Sequence, residues 1–152
     1  ADLLDYVTEI FTIEIEREKI DFQKDYSCGL YIIADYFCVE QVVTNYVQNA
    51  VSHMGQGKKL WLKVQEQPEH YRVMVFNSAE PIPQEEQGRI WDSFYRLDKS
   101  RTRSRRESGL GLSIVRSNME LMGGGYGVEN TEGGVIFWAE FPKSPEPETE
   151  AI

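Results

Sequence analysis

The amino-acid sequence predicts an α/β two-layer sandwich, with helices packed on one face of a mixed, mainly antiparallel sheet. Two observations lead to it. Three segments, 3–19, 35–54 and 110–122, carry apolar residues at helical period. Around them lie short segments that alternate apolar and polar residues, the spacing of half-buried strands. Helices and strands in this mixture bury their apolar faces against one another in layers. At 152 residues the chain suits one domain with a real core, and its 41% hydrophobic and 27% charged residues are those of an ordinary globular protein.

Segment 3–19 places Leu3, Leu4, Val7, Ile10, Phe11, Ile13 and Ile15 at helical spacing among glutamates. Short strands are expected at 20–26 and 29–33. Asp35 is the expected N-cap of a long helix reaching Met54, which residues 55–57 (Gly-Gln-Gly) end. Strands follow at 58–65 and 71–76, joined by a turn through Gln67, Pro68 and Glu69. Residues 77–83 read as a loop with two prolines, and 84–95 as a short helix. Residues 99–108 contain no apolar side chain and are expected to form a mobile surface loop. A helix over 110–122 is stopped by Gly123, Gly124 and Gly125, and strands at 126–130 and 135–141 meet in a turn at 132–134. The expected division is a domain over 1–142 and a disordered acidic tail over 143–152.

Composition excludes several classes. No apolar run approaches the roughly 20 residues of a membrane-spanning helix. The first residues lack a basic stretch before an apolar one, so they do not read as a signal peptide. Cys28 and Cys38 are too few for a disulfide framework and lack metal-ligand spacing. A net charge of −9 argues against nucleic-acid or anionic-membrane binding. Against that background, the six basic residues Arg96, Lys99, Arg101, Arg103, Arg105 and Arg106 point to an anion handled locally.

Four patterns carry the chemistry. On the 35–54 helix, Gln41, Asn45, Gln48, Asn49 and Ser52 lie opposite the apolar stripe, with Asn45 and Asn49 four residues apart on one face. Asn77 ends a strand and can offer both an acceptor and a donor to a planar ligand. Phe94, Tyr95 and Arg96 precede the basic loop. Then Gly109, Leu110, Gly111 and Leu112 open a helix, where unpaired backbone N–H groups and the helix dipole favour a phosphate. The dinucleotide fingerprint is incomplete, since Ile114 holds the third glycine position, and no Walker-type loop is present.

In this order the patterns resemble the catalytic domain of sensor histidine kinases, within the wider family of gyrase, Hsp90 and MutL. Residues 42–50 look like the N box, 77–83 the first glycine box, 94–96 the F box, 99–108 the ATP lid and 108–112 the second glycine box. The resemblance implies a Bergerat-type ATP-binding fold with ATP and Mg²⁺ as cofactors. Asn49 would give its side-chain oxygen to the metal, and Asn45 would lie near the phosphates or ribose. Asn77, with Ala79 and Ile82 after it, would hold the adenine. Tyr95, Arg96 and Arg101 would meet the nucleotide, the arginines at its terminal phosphates, while 109–112 would cradle the phosphates. Asn49 and Arg96 are thereby the expected catalytic residues.

The departures matter as well. Ala79 stands where the family has a glycine, Ser52 where it often has a lysine, and Arg106 and Glu107 where glycines usually precede the second glycine box. His53 is the neighbour able to replace the lysine by hydrogen bonding. Asn45 occupies the place of the general-base glutamate of gyrase, Hsp90 and MutL and cannot take a proton, which favours transfer to a side chain over hydrolysis. Neither His53 nor His70 is followed by an acidic residue as a phospho-accepting histidine usually is. The implied partners are therefore a histidine-bearing dimerisation hairpin of the same kinase and a response regulator, with this domain in the cytoplasm, touching neither nucleic acid nor membrane. The alternative is a degenerate nucleotide-binding module that regulates a partner without catalysis.

Overall fold

The computed structural model describes residues 1–95 and 110–145. The elements are α1 (Asp2–Ile10), α2 (Thr12–Arg17), β1 (Asp21–Asp25), α3 (Tyr36–Ser52), β2 (Lys59–Glu66), β3 (His70–Ser78), α4 (Gly111–Met122), β4 (Tyr126–Thr131) and β5 (Gly134–Pro142). The five strands form one sheet in the order β1-β2-β3-β5-β4. Only the β1–β2 pair is parallel. Helices pack on this mixed sheet as the sequence predicts.

Strand alternation sends Leu60 and Leu62 of β2, Val73 and Val75 of β3, and Val135, Phe137, Ala139 and Phe141 of β5 into the core, all buried. Facing them, α3 buries Val39, Val42, Val43, Tyr46, Val47 and Ala50. Each of the larger aliphatic side chains removed from water contributes roughly 1.5–3 kcal/mol. Tyr46 is 0% exposed. Its hydroxyl donates to the Trp138 carbonyl at 2.8 Å, and its ring lies 5.5 Å from Phe137 and 6.5 Å from Trp91. One residue thus fixes α3 to β5 and to the segment carrying Trp91.

Several expected boundaries are corrected. The 3–19 helix is interrupted at Phe11 (φ −95°, ψ 1°), in a stretch where β-branched Ile10, Thr12, Ile13 and Ile15 disfavour an unbroken helix. The expected strand at 29–33 reduces to a single bridge, Ile32 with Lys143, because only the end of β5 lies beside it. Asp35 does cap α3, accepting from the Cys38 N–H at 2.9 Å, but the helix ends at Ser52. Residues 84–95 form successive tight turns, not a helix. Glu86 N–H donates to Pro83, and Arg89 and Ile90 N–H both donate to Glu86. Gly88 weakens any helix here, while burial of the adjacent Ile90 and Trp91 holds the turns in place. Past Pro142, Lys143 N–H donates to the Glu69 carbonyl and Ser144 N–H to the Tyr31 carbonyl. The rest of the expected tail lies outside the described residues.

Candidate functional site

The polar face of α3 is the first wall. Asn45, Gln48 and Asn49 are half-buried there. Asn45 Nδ2 donates to the Gln41 carbonyl at 2.8 Å, which fixes the amide. Its Oδ1 looks toward the start of α4, where a Cβ on Gly111 would come to 3.0 Å of it. A side chain here would require the Asn45 amide to give way by a few tenths of an ångström. Gln41 also accepts from Asn118 of α4 through its Oε1 at 2.8 Å, an amide contact that ties the two helices together.

At the C-terminal end of α3, His53 folds back on Asn49, with its N–H and its ring Nδ1 both 3.0 Å from that carbonyl. The His53 carbonyl in turn accepts from Asn77 Nδ2 at 3.3 Å. A chain of hydrogen bonds therefore runs from Asn77 through His53 to the backbone of Asn49. Asn77 is part of β3, not of a loop. It pairs with Leu60 and Val135, and strand parity places it on the core-facing row after Val73 and Val75. It is 2% exposed, a polar residue closing an apolar row beneath the end of α3.

The segment after β3 is held from two sides. Gly55 N–H donates to the Ser78 carbonyl at 2.6 Å, and a Cβ on Gly55 would meet that same oxygen at 2.9 Å. Beyond it, Ile82 is clamped by Asn130 of β4: the Ile82 N–H donates to Asn130 Oδ1 and Asn130 Nδ2 donates to the Ile82 carbonyl, each at 2.8 Å. The non-glycine residues at positive φ among those described are Lys19, Lys58 and Phe94. Ala79 is not one of them, so its backbone does not require a glycine.

Tyr95 is half-buried, with the Arg89 guanidinium 5.1 Å from its ring centre, and the adjacent Phe94 is 73% exposed. Arg116 of α4 reaches Asp92 at 3.0 Å, tying this segment to the helix. At the start of α4, Leu110 and Leu112 are half-buried, and Leu110 occupies the N-cap without a side-chain cap bond. Among the described residues, no side chain caps the first N–H groups of the helix. Asn45, Asn49 and Asn77 carry no charge, so this part of the site contributes dipoles rather than charge. Arg96, Arg101 and Gly109 lie outside the described residues.

Residues 34–145 match the family described as histidine kinase-, DNA gyrase B-, and HSP90-like ATPase. This chain belongs to that family. Sensor protein VanSB of Enterococcus faecalis is 32% identical over 127 residues, covering 84% of this chain and 28% of VanSB. Sensor protein CzcS of Cupriavidus metallidurans is 35% identical over 112 residues, covering 73% of this chain and 24% of CzcS. The histidine-kinase-type domain described here thus spans about a quarter of the length of those relatives. Among solved structures, the catalytic domain of histidine kinase ThkA superposes with a TM-score of 0.82 at 35% identity, covering 95% of this chain and 93% of that one. ThkA in complex with response regulator protein TrrA matches at 0.77 and 34%, covering 97% and 41%. Full-length ShkA in complex with AMPPNP matches at 0.80 and 27%, covering 96% and 31%.

The structure thus brings Asn45, Asn49, His53, Asn77 and Gly111 of this ATPase-family domain together. Sequence reasoning singled out Gln41 with the polar face of the helix but missed Asn130 and Asn118 as supports. An asparagine ending a strand before a Glu-Gly-Gly turn gives no hint of a partner 48 residues away.

Proposed function

We propose that this domain binds Mg·ATP where α3, the end of β3 and the start of α4 meet, and donates the γ-phosphoryl group to a histidine on a separate dimerisation hairpin. The reading is carried by the packing of Gly111 against the fixed amide of Asn45, beside helix N–H groups that no side chain of the described residues caps. Such N–H groups are an anion site. Asn77, its amide nitrogen held by His53, keeps an oxygen that accepts from the amino group of a planar base.

Asn49 fits a magnesium ion. It is half-buried, and its side chain makes no hydrogen bond to a described residue. A single neutral oxygen suits an ion that completes its shell with phosphate and water. When bound, magnesium supplies neutralisation of the phosphate charge. The chain's own residues do the positioning: Asn77 orients the base, Asn45 and the α4 amides fix the phosphates, and Arg96 and Arg101 are proposed to meet the terminal charge. In the transfer the β–γ P–O bond breaks as an N–P bond forms at the hairpin histidine, and such chemistry asks a protein mainly for alignment and charge stabilisation. Neither histidine of this chain suits as acceptor: His53 is folded onto Asn49 and His70 lies 3.1 Å from Glu140. The match to ThkA with TrrA supports a response regulator as the next acceptor.

Calorimetric titration with a non-hydrolysable ATP analogue is the test. Magnesium-dependent binding is expected, weakened by roughly 30-fold or more in Asn49→Ala. Absence of binding at millimolar nucleotide overturns the proposed site. Tight binding without phosphohistidine on a purified hairpin overturns the transfer.

A further inference from the structure

The N-terminal helices carry a second apolar stripe that the nucleotide site does not use. The α1–α2 segment buries Leu4, Val7, Thr8, Phe11 and Ile15, with Leu3 half-buried against the same core. A different set, Tyr6, Ile10 and Ile13, in line with the core-packed Leu3, follows the alternating three- and four-residue spacing of the apolar positions of a heptad. Tyr6 is 48% exposed, Ile10 51% and Ile13 76%. The interruption at Phe11 preserves the helical path, since Phe11 N–H donates to Thr8 at 3.2 Å and Ile15 N–H to Phe11 at 2.9 Å.

Charge beside the stripe says what can cover it. Asp2, Glu9 and Glu16 recur at seven-residue intervals along one edge, all exposed. Among the described residues none of the three has an ion-pair partner. Glu9 and Glu16 also line a groove between these helices and β1, together with Thr8, Thr12, Ile15 and Phe22. Lys24, which reaches the same groove, is already held by Asp5 at 2.8 Å. In paired helices the residues flanking the apolar seam choose the partner by charge. A second copy of this chain would set acidic edge against acidic edge, and an anionic lipid surface is repelled by the same carboxylates.

We propose that this face docks an α-helix of a partner protein whose apolar seam is flanked by lysine or arginine. The inference is independent of the nucleotide site. It is tested by nuclear magnetic resonance titration of the chain with a designed helix of about three heptads, leucine along the seam and lysine beside it, and with its glutamate-flanked counterpart. The lysine peptide is expected to shift the amides of residues 2–17, with affinity that falls as salt is raised. The glutamate peptide is expected to shift none. Ile10→Ser with Ile13→Ser should weaken the lysine peptide by roughly tenfold or more while leaving nucleotide affinity and melting temperature unchanged, since both side chains are already largely exposed. Equal binding of the two peptides, binding of neither, shifts elsewhere on the surface, or a dimer of the chain alone that protects residues 2–17 would each overturn the proposal.

Discussion

Replacing Gly111 by alanine sets two effects of opposite sign against each other. In the interior of a helix the change gains up to about 1 kcal/mol, and less at the first helical position that Gly111 occupies. Against this, the added Cβ would lie 3.0 Å from Asn45 Oδ1 and 3.7 Å from its Cγ. Ordinary contact requires the amide to retreat by about 0.4 Å. Asn45 cannot do so freely, because its nitrogen is bonded to the Gln41 carbonyl at 2.8 Å. Weakening that bond costs up to about 1 kcal/mol. The two terms nearly cancel, so the melting temperature should move by no more than about 3 °C. Nucleotide binding has no such compensation, since a methyl group then stands between the Asn45 amide and the helix N–H groups. A loss of about tenfold in affinity for an ATP analogue is expected by calorimetry. In Asn45→Ala the obstacle to the methyl group is gone, and a double-mutant cycle on stability should show a coupling of about 1 kcal/mol. Undiminished affinity in Gly111→Ala would refute the placement of phosphate at the start of α4. A fall of more than about 6 °C would show that the glycine serves core packing instead.

Other expectations follow from the same contacts. Tyr46→Phe removes a buried bond and leaves the Trp138 carbonyl without its donor, so it should cost about 1–2 kcal/mol in urea denaturation with nucleotide affinity unchanged. Burial pushes the Tyr46 phenol well above its ordinary value, and burial, aided by a bond to Asp5, does the same for Tyr26. Both therefore add stability that is complete below the unfolded tyrosine pKa of about 10 and is lost as pH rises past it. The urea midpoint should fall between about pH 10 and 11, less steeply in Tyr46→Phe. Asn130→Ala deletes both bonds to Ile82, which should cost about 2 kcal/mol and loosen the loop after β3, weakening nucleotide binding about fivefold by fluorescence titration.

The sequence by itself determined the layers, because these depend on local periodicity, and it named the candidate site residues through motifs resembling a known family. Helical and alternating patterns are set by backbone geometry, so α3, α4, β2 and β5 lie within a residue or two of their expected places. Asn45, Asn49 and the glycines at the start of α4 could be singled out because asparagine and glycine are poor choices in a helix unless something else requires them. Tertiary structure alone decided the rest. Residues 84–95 turn instead of coiling because burial of Ile90 and Trp91 outweighs a weak local preference. The expected strand at 29–33 does not form, because a strand needs a neighbour and only the end of β5 is there. Asn77 belongs to β3 because Leu60 and Val135 flank it, and the backbone at Ala79 does not require a glycine. The hold of Asn130 on Ile82, and the return of His53 to Asn49 with Asn77 behind it, arise where separate elements meet. A hydrogen bond depends on distance in space, and the chain order carries that distance only after the sheet has closed.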